Sequence, residues 1–290
     1  MNLSDIKTIK NVLSRHGFNF SKALGQNFLI NPDICPQMAI ECGAGKGVGV
    51  LEIGPGVGVL TVELAKLADK VVSVELDNRL LPVLSETLAG YENVKVIIED
   101  ILKTDIAKLI LDEFPGLDVI VCANLPYYIT SPVIMRLLEE RLPICSITVM
   151  VQKEAADRLC ALPGCRACGA VSAAVQYFSE PQILFQVPNT SFMPQPKVNS
   201  AVIKLDVRKE PAIQINSEKN FFATVKASFG QRRKTVLNSA SAGLSLDKDQ
   251  VLAALERAEI VPNSRAEQLT MDQFAAFSNE LFADELGTDQ

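Results

Sequence analysis

Leu51-Glu52-Ile53-Gly54-Pro55-Gly56-Val57-Gly58 decides how the chain is read. An apolar, β-branched run at 48–53 leads into it, and a run at 59–67 with helical periodicity leads out. Glycines let a backbone turn tightly and approach a ligand without a Cβ clash. The spacing is G-x-G-x-G. Position 59 is Val, so the dinucleotide fingerprint G-x-G-x-x-G is absent. A strand, a glycine turn and a helix in succession open a βα unit.

The same alternation continues outward. Short apolar runs at 71–75, 94–98, 119–123 and 146–151 read as buried strands. Helical periodicity fills 79–88, 105–111 and 132–138 between them. Continuous apolar strands separated by helices predict a parallel, Rossmann-like α/β sheet covered on both faces. Runs at 183–187 and 201–207 predict a late strand pair that closes the sheet with an antiparallel edge. Past about 208–214 only helical periodicity remains, at 219–228, 234–240, 248–258 and 271–281, with Asp247 and Thr270 as expected N-caps. Two domains are therefore expected: an α/β domain over 1–208 and a small all-helical one over 209–290.

The strand ends carry polar residues that a buried strand has no use for. Glu75 closes the second strand, where a carboxylate can accept both hydroxyls of a ribose. Asp100 follows the third, placed to accept from an adenine amino group. Asn124-Leu125-Pro126-Tyr127 follows the fourth. There the Asn124 amide oxygen and the Leu125 carbonyl can together accept two hydrogen bonds from one exocyclic NH₂ group, and Tyr127 offers a face for a flat base. An Asn-x-Pro turn alone would be unremarked; three ligand-type strand ends in sequence predict a nucleoside pocket at the carboxyl edge of the sheet.

Composition narrows the class. Of 290 residues, 48% are hydrophobic and 21% charged, which excludes a disordered or fibrous chain. The longest uncharged run, between Asp118 and Arg136, contains Asn124, Pro126, Thr130 and Pro132, unsuited to a lipid-facing helix. Asp5, Lys7 and Lys10 interrupt any apolar leader core, so a cytoplasmic location with seven reduced cysteines is expected. The net charge of −6 is unevenly spread. Residues 247–290 hold ten acids against three bases, whereas 219–246 hold Lys219, Lys226, Arg232, Arg233 and Lys234 with no acid. Lys7, Lys10, Arg15 and Lys22 form a second basic stretch near the N-terminus. Such local fields can face phosphates on a globally acidic protein, although charge runs are more often solvated faces. Cys165-Arg166-Ala167-Cys168 offers one C-x-x-C pair, and His16 is far from it in sequence; a four-ligand metal site is not expected.

Taken together, the glycine turn, Glu75, Asp100 and Asn124–Tyr127 resemble a class I S-adenosylmethionine-dependent methyltransferase of the kind that methylates adenine amino groups in RNA. Gly25-Gln26-Asn27-Phe28-Leu29, the run 192–202 that opens with Phe192 and includes Lys197, the run 229–238 with Arg232, Arg233 and Lys234, and Arg265-Ala266-Glu267-Gln268-Leu269 sharpen it. They resemble the bacterial 16S ribosomal RNA adenine N6,N6-dimethyltransferase family, the kasugamycin-resistance dimethyladenosine transferases, from about Lys22 to Leu281. Asn199 and Val236 depart from the family pattern, where Asp and Leu are usual, outside the expected pocket.

The resemblance implies transfer of methyl groups from S-adenosylmethionine, without a metal, to N6 of two adjacent adenines near the 3′ end of 16S rRNA in the 30S subunit or its precursor. It implies a role in small-subunit biogenesis, a monomer, and no membrane partner. It places Asn27, Leu29, Gly54, Gly56, Glu75, Asp100 and Asn124 at the cofactor. Asn124, Leu125, Pro126, Tyr127 and Phe192 fall at the target base, and Lys197, Arg232, Arg233 and Lys234 on RNA. His16 is expected to pack or sit at the surface. Three rivals remain at this level: a sister enzyme acting on large-subunit rRNA, a non-catalytic ribosome-assembly factor, and a nicotinamide oxidoreductase. The missing third glycine and Asn124–Tyr127 count against the last.

Overall fold

The computed structural model describes residues 1, 3–18 and 27–283; Lys22, Gly25 and Gln26 lie outside the described residues. Two compact units emerge. One comprises 1–156 with 180–207, the other 157–179 with the chain from 208 onward.

The first unit is built on seven strands. These are β2 (Val48–Ile53), β3 (Lys70–Glu75), β4 (Val94–Ile98), β5 (Asp118–Asn124), β6 (Ser146–Gln152), β7 (Ser179–Val187) and β9 (Ser200–Val207), in the order β4-β3-β2-β5-β6-β9-β7. Pairings from β4 through β6 are parallel, and β6 with β9 is antiparallel. Helices α3 (Val59–Ala65), α4 (Leu81–Thr87), α5 (Ile106–Glu113) and α6 (Thr130–Glu139) connect the parallel strands, and α7 (Lys153–Leu159) follows β6. The chain runs outward from β2 to β4, then crosses back to place β5 on the other side of β2. That reversal is the switch point where open α/β sheets bind ligands.

Strand cores are apolar because both faces are covered: Val50, Leu51, Val71, Val72, Val121 and Ile147 are fully buried. Ahead of the sheet come α1 (Ile6–Arg15) and α2 (Ile34–Glu41). Asp5 caps α1, accepting from Thr8 N at 3.0 Å, and Ile9, Val12 and Leu13 join the sheet's apolar core. His16 reaches Glu86 at 2.8 Å, which Arg15 also pairs. Between α1 and α2, β1 (Phe28–Leu29) pairs antiparallel with β8 (Phe192–Met193), matching Leu29 with Phe192. Among the described residues no helix is long and apolar enough to cross a membrane.

The second unit is helical: α8 (Ala170–Phe178), α9 (Glu218–Phe229), α10 (Val236–Leu244), α11 (Lys248–Arg257) and α12 (Met271–Leu281). Residues 157–179, expected within an α/β domain ending at 208, group with these helices. The reason is aromatic packing. Tyr177 lies 5.6 Å from Phe221 and Phe178 stacks on Phe222 at 5.5 Å, while the Tyr177 hydroxyl donates to Glu218 at 2.9 Å. Gly243 lets α10 close on α9, since a Cβ there would stand 2.7 Å from that of Ala227. Helix α10 begins after Lys234 rather than at it, because Thr235 caps it by accepting from Asn238 N. Thr270 caps α12 through Gln273 N at 3.2 Å; Asp247 occupies the N-cap position of α11 with no side-chain bond.

Candidate active site

Register brings the strand ends level. Ile53 is opposite Val74 and Ala123, and Val74 is opposite Ile97. One step further along each chain stand Gly54, Glu75, Ile98 and Asn124. Glu75 and Asn124 are thus two strands apart at one height, with the glycine turn between them. Asn27, Leu29, Gly54, Gly56, Glu75, Asp100, Asn124, Leu125, Pro126, Tyr127 and Phe192 all line a single cavity.

The turn after β2 is held open by backbone that only glycine adopts freely. Gly56 has φ of 60°, and its N–H donates to Glu75 Oε2 at 3.2 Å. Asp77 N donates to Glu75 Oε1 at 2.8 Å. Burial pushes the Glu75 carboxyl up from its ordinary value, and these N–H donors pull it part of the way back. Asp100 is half-buried and accepts from Leu102 N at 3.0 Å, which fixes its rotamer in a tight turn. Glu99, beside it, is occupied by Thr104 at 2.9 Å.

Beyond β5 the chain turns at Pro126, whose carbonyl accepts from Ile129 N at 3.1 Å, and enters α6. Leu125 is buried and anchors this turn, leaving Asn124 and Tyr127 half-buried at the cavity wall. The Tyr127 hydroxyl is 2.9 Å from Ser200 Oγ on β9, which locks the ring. The β1–β8 ribbon supplies the other side. Ile30 N donates to Ser191 O at 2.9 Å, so Asn27, Leu29 and Phe192 arrive together although far apart in sequence.

Lys197, Arg232, Arg233 and Lys234 do not line this cavity; all four are exposed, Lys197 in the loop between β8 and β9 and the others ahead of α10. Asn199 braces the Lys197 loop, its Oδ1 accepting from Asn189 N at 3.0 Å. Cys165 and Cys168 share a turn in which burial pushes the Cys168 thiol up to about 11, so it is neutral at pH 7. Among the described residues no group of three or more His, Cys, Asp or Glu is arranged to hold a metal.

Sequence reasoning missed Glu52, which lines the same cavity and is 1% exposed. Its Oε2 accepts from Ser73 Oγ at 2.6 Å and Thr61 Oγ1 at 2.7 Å; its Oε1 is buried with no partner among the described residues. Burial pushes this carboxyl up to about 7, with the nearby Glu75 charge adding to the rise and the two hydroxyls opposing it. The signal was available: an acid inside an otherwise apolar buried strand.

The strand order β4-β3-β2-β5-β6-β9-β7, with a glycine turn after β2 at its switch point, is that of a class I methyltransferase fold. Comparison with known proteins agrees. The profile of the ribosomal RNA adenine dimethylase family matches residues 17–282. A ribosomal RNA small subunit methyltransferase A from Alkaliphilus oremlandii is 47% identical over 280 residues, covering 96% of this chain and 98% of the relative. Its namesake from Geobacillus thermodenitrificans is 49% identical over 276 residues, covering 94% of each. Among solved structures, a dimethyladenosine transferase from Plasmodium falciparum aligns with a TM-score of 0.70 at 27% identity, covering 90% of this chain and 98% of that one. The 23S rRNA methyltransferase ErmE aligns at 0.66 and 27%, covering 88% and 99%. The chain belongs to the ribosomal RNA adenine dimethylase family and is an rRNA methyltransferase.

Proposed function

We propose that the protein dimethylates N6 of two adjacent adenines near the 3′ end of 16S rRNA, within the 30S subunit or its precursor, using S-adenosylmethionine. It acts as a cytoplasmic monomer during small-subunit biogenesis. The observation that carries this reading is the single cavity shared by Glu75, Asp100, Asn124 and Tyr127. The small-subunit assignment is favoured by relatives at 47–49% identity, against 27% for the large-subunit enzyme.

The cavity fits the donor. Glu75 presents a carboxylate for the ribose hydroxyls, Asp100 an acceptor for the adenine amino group, and Gly54 and Gly56 a wall without Cβ atoms for the methionine end. Asn27 and Leu29 close it from the β1 side. When bound, S-adenosylmethionine supplies an activated methyl group on a sulfonium.

The chain's own task is alignment. An adenine N6 lone pair is delocalised into the ring and is a poor nucleophile. The Asn124 amide oxygen and the Leu125 carbonyl accept the two amino protons. This favours a more tetrahedral nitrogen with its lone pair directed into the cleft. Tyr127, fixed by Ser200, and Phe192, fixed by the β1–β8 ribbon, hold the extruded base between two rings. No general base is needed before attack, because the methylated nitrogen can release its proton to water. Lys197, Arg232, Arg233 and Lys234 meet RNA phosphates.

Incubation of undermethylated 30S particles and of naked 23S RNA with labelled S-adenosylmethionine tests the reading. Labelled dimethyladenosine in the 30S rRNA alone supports it. Label confined to 23S RNA overturns it in favour of the large-subunit activity, and no transfer to either favours a non-catalytic assembly factor.

A further inference from the structure

Arg136 lies on α6 and does not line the cavity, yet most of its side chain is enclosed, with 22% exposed. A guanidinium stays charged at any working pH, so enclosing it calls for acceptors on several sides. Nε donates to Glu140, four residues on. The other two nitrogens reach away from the helix. Nη2 donates to the Thr104 carbonyl at 2.7 Å, and Nη1 donates to the Ile101 carbonyl. Both carbonyls belong to the turn that follows Asp100. A planar fork holds two such acceptors at once, a geometry that a single ammonium does not match.

The Asp100 carbonyl accepts from Lys103 N at 2.8 Å and Thr104 N at 3.0 Å, and the Asp100 carboxylate accepts from Leu102 N at 3.0 Å. These bonds fix the shape of the turn and the rotamer of Asp100 within it. They do not fix where the turn stands against the rest of the cavity. Ile101 is buried, but apolar contact is non-directional. Lys103 Nζ lies 3.5 Å from Asp100 on a side chain 84% exposed, and such a surface pair orders little. Arg136 supplies the direction. Its helix starts just past Tyr127, where the Thr130 hydroxyl donates to Pro126 O at 3.3 Å. The fork therefore ties the adenine end of the cavity to the end that takes the target base. We propose that Arg136 is a positioning residue for the cofactor, clamping the turn after β4 onto α6 and so aiming the Asp100 carboxylate at the adenine amino group. The inference rests on the cofactor reading under Proposed function.

A double-mutant cycle on the full chain, read by calorimetric titration with S-adenosylhomocysteine, tests it. Arg136→Met keeps the apolar stem and removes the donors; its Kd should be about tenfold weaker than wild type. Glu140→Ala removes only the pair along α6 and should stay within about twofold. Asp100→Ala should itself weaken binding, and adding Arg136→Met to it should then cost less than about twofold, because the group being aimed is gone. At saturating S-adenosylmethionine, kcat of Arg136→Met on undermethylated 30S particles should stay within about twofold of wild type while KM for the cofactor rises. If Arg136→Met proves too unstable to titrate, Arg136→Lys enters the same cycle, with a smaller loss expected that again vanishes beside Asp100→Ala. A wild-type Kd in Arg136→Met would overturn the inference. So would the full loss repeated on top of Asp100→Ala, which would make Arg136 a general support of the fold, or a fall in kcat at unchanged cofactor KM. Absence of S-adenosylhomocysteine and S-adenosylmethionine binding to the wild-type protein would instead overturn the cofactor reading itself, and this inference with it.

Discussion

Replacing Gly56 with Ala probes the turn from which the whole site is built. Three effects add. At φ of 60° an L side chain costs about 1–2 kcal/mol. The new Cβ would stand 3.1 Å from Cε1 and 3.4 Å from Cδ1 of Phe28, a ring held in the β1–β8 ribbon, so one of the two must shift. Movement of the turn then weakens the 3.2 Å bond from Gly56 N to Glu75, worth roughly 1 kcal/mol. The first and third alone come to roughly 2–3 kcal/mol. If the folded protein carries the strain, the cost falls on stability, at about 2–4 °C of Tm per kcal/mol. If the turn relaxes and must be restored by ligand, the cost falls on cofactor affinity, about tenfold in Kd per 1.4 kcal/mol. Thermal melts and calorimetric titration with S-adenosylmethionine, read together, capture both. A variant within about 2 °C in Tm and twofold in Kd of the wild type would refute the reasoning, because neither channel would show the strain.

Other perturbations have separate signatures. Glu52 has a folded-state value near 7, above its ordinary 4.5, so its contribution to stability is complete below pH 4.5 and is lost as pH rises through 7. Wild type should lose about 3 kcal/mol relative to Glu52→Gln across that window, measured by melts from pH 4 to 8; parallel curves would contradict it. Replacing Arg232, Arg233 and Lys234 together by Ala should lower the salt slope of RNA binding by about 2–3 and leave the cofactor Kd unchanged. Asn199→Asp retains the oxygen that accepts from Asn189 N, so methylation should stay within about twofold and Tm within about 2 °C.

The sheet was legible because both its faces are covered. Strands such as β2 and β5 are largely apolar runs rich in Val and Ile, and the polar residues at their tips then stand out. Glu75 and Asn124 were readable from sequence for that reason, and register did the rest by setting them level. Pairing across long separations was not readable. Leu29 and Phe192 meet in a two-residue ribbon too short to leave a periodic signal. Only the resemblance placed Asn27 and Leu29 at the cofactor. Residues 170–178 form an apolar helix whose partners, Phe221 and Phe222, lie well downstream, and the order of apolar runs does not tie it to them. Glu52 is inconspicuous in the sequence as part of a strand, since its hydroxyl partners Ser73 and Thr61 reach it only when β3 and α3 are in place.

The central claim is that one cleft at the strand tips, with Asn124 at its wall, sets an adenine amino group against the methyl donor. Nucleoside mass spectrometry of undermethylated 30S rRNA after incubation with wild type and with Asn124→Ala tests it most directly. Wild type should yield N6,N6-dimethyladenosine, and the variant should be slower by about 10²–10³-fold while binding S-adenosylmethionine within a few-fold of wild type. Equal dimethylation by both proteins would contradict it.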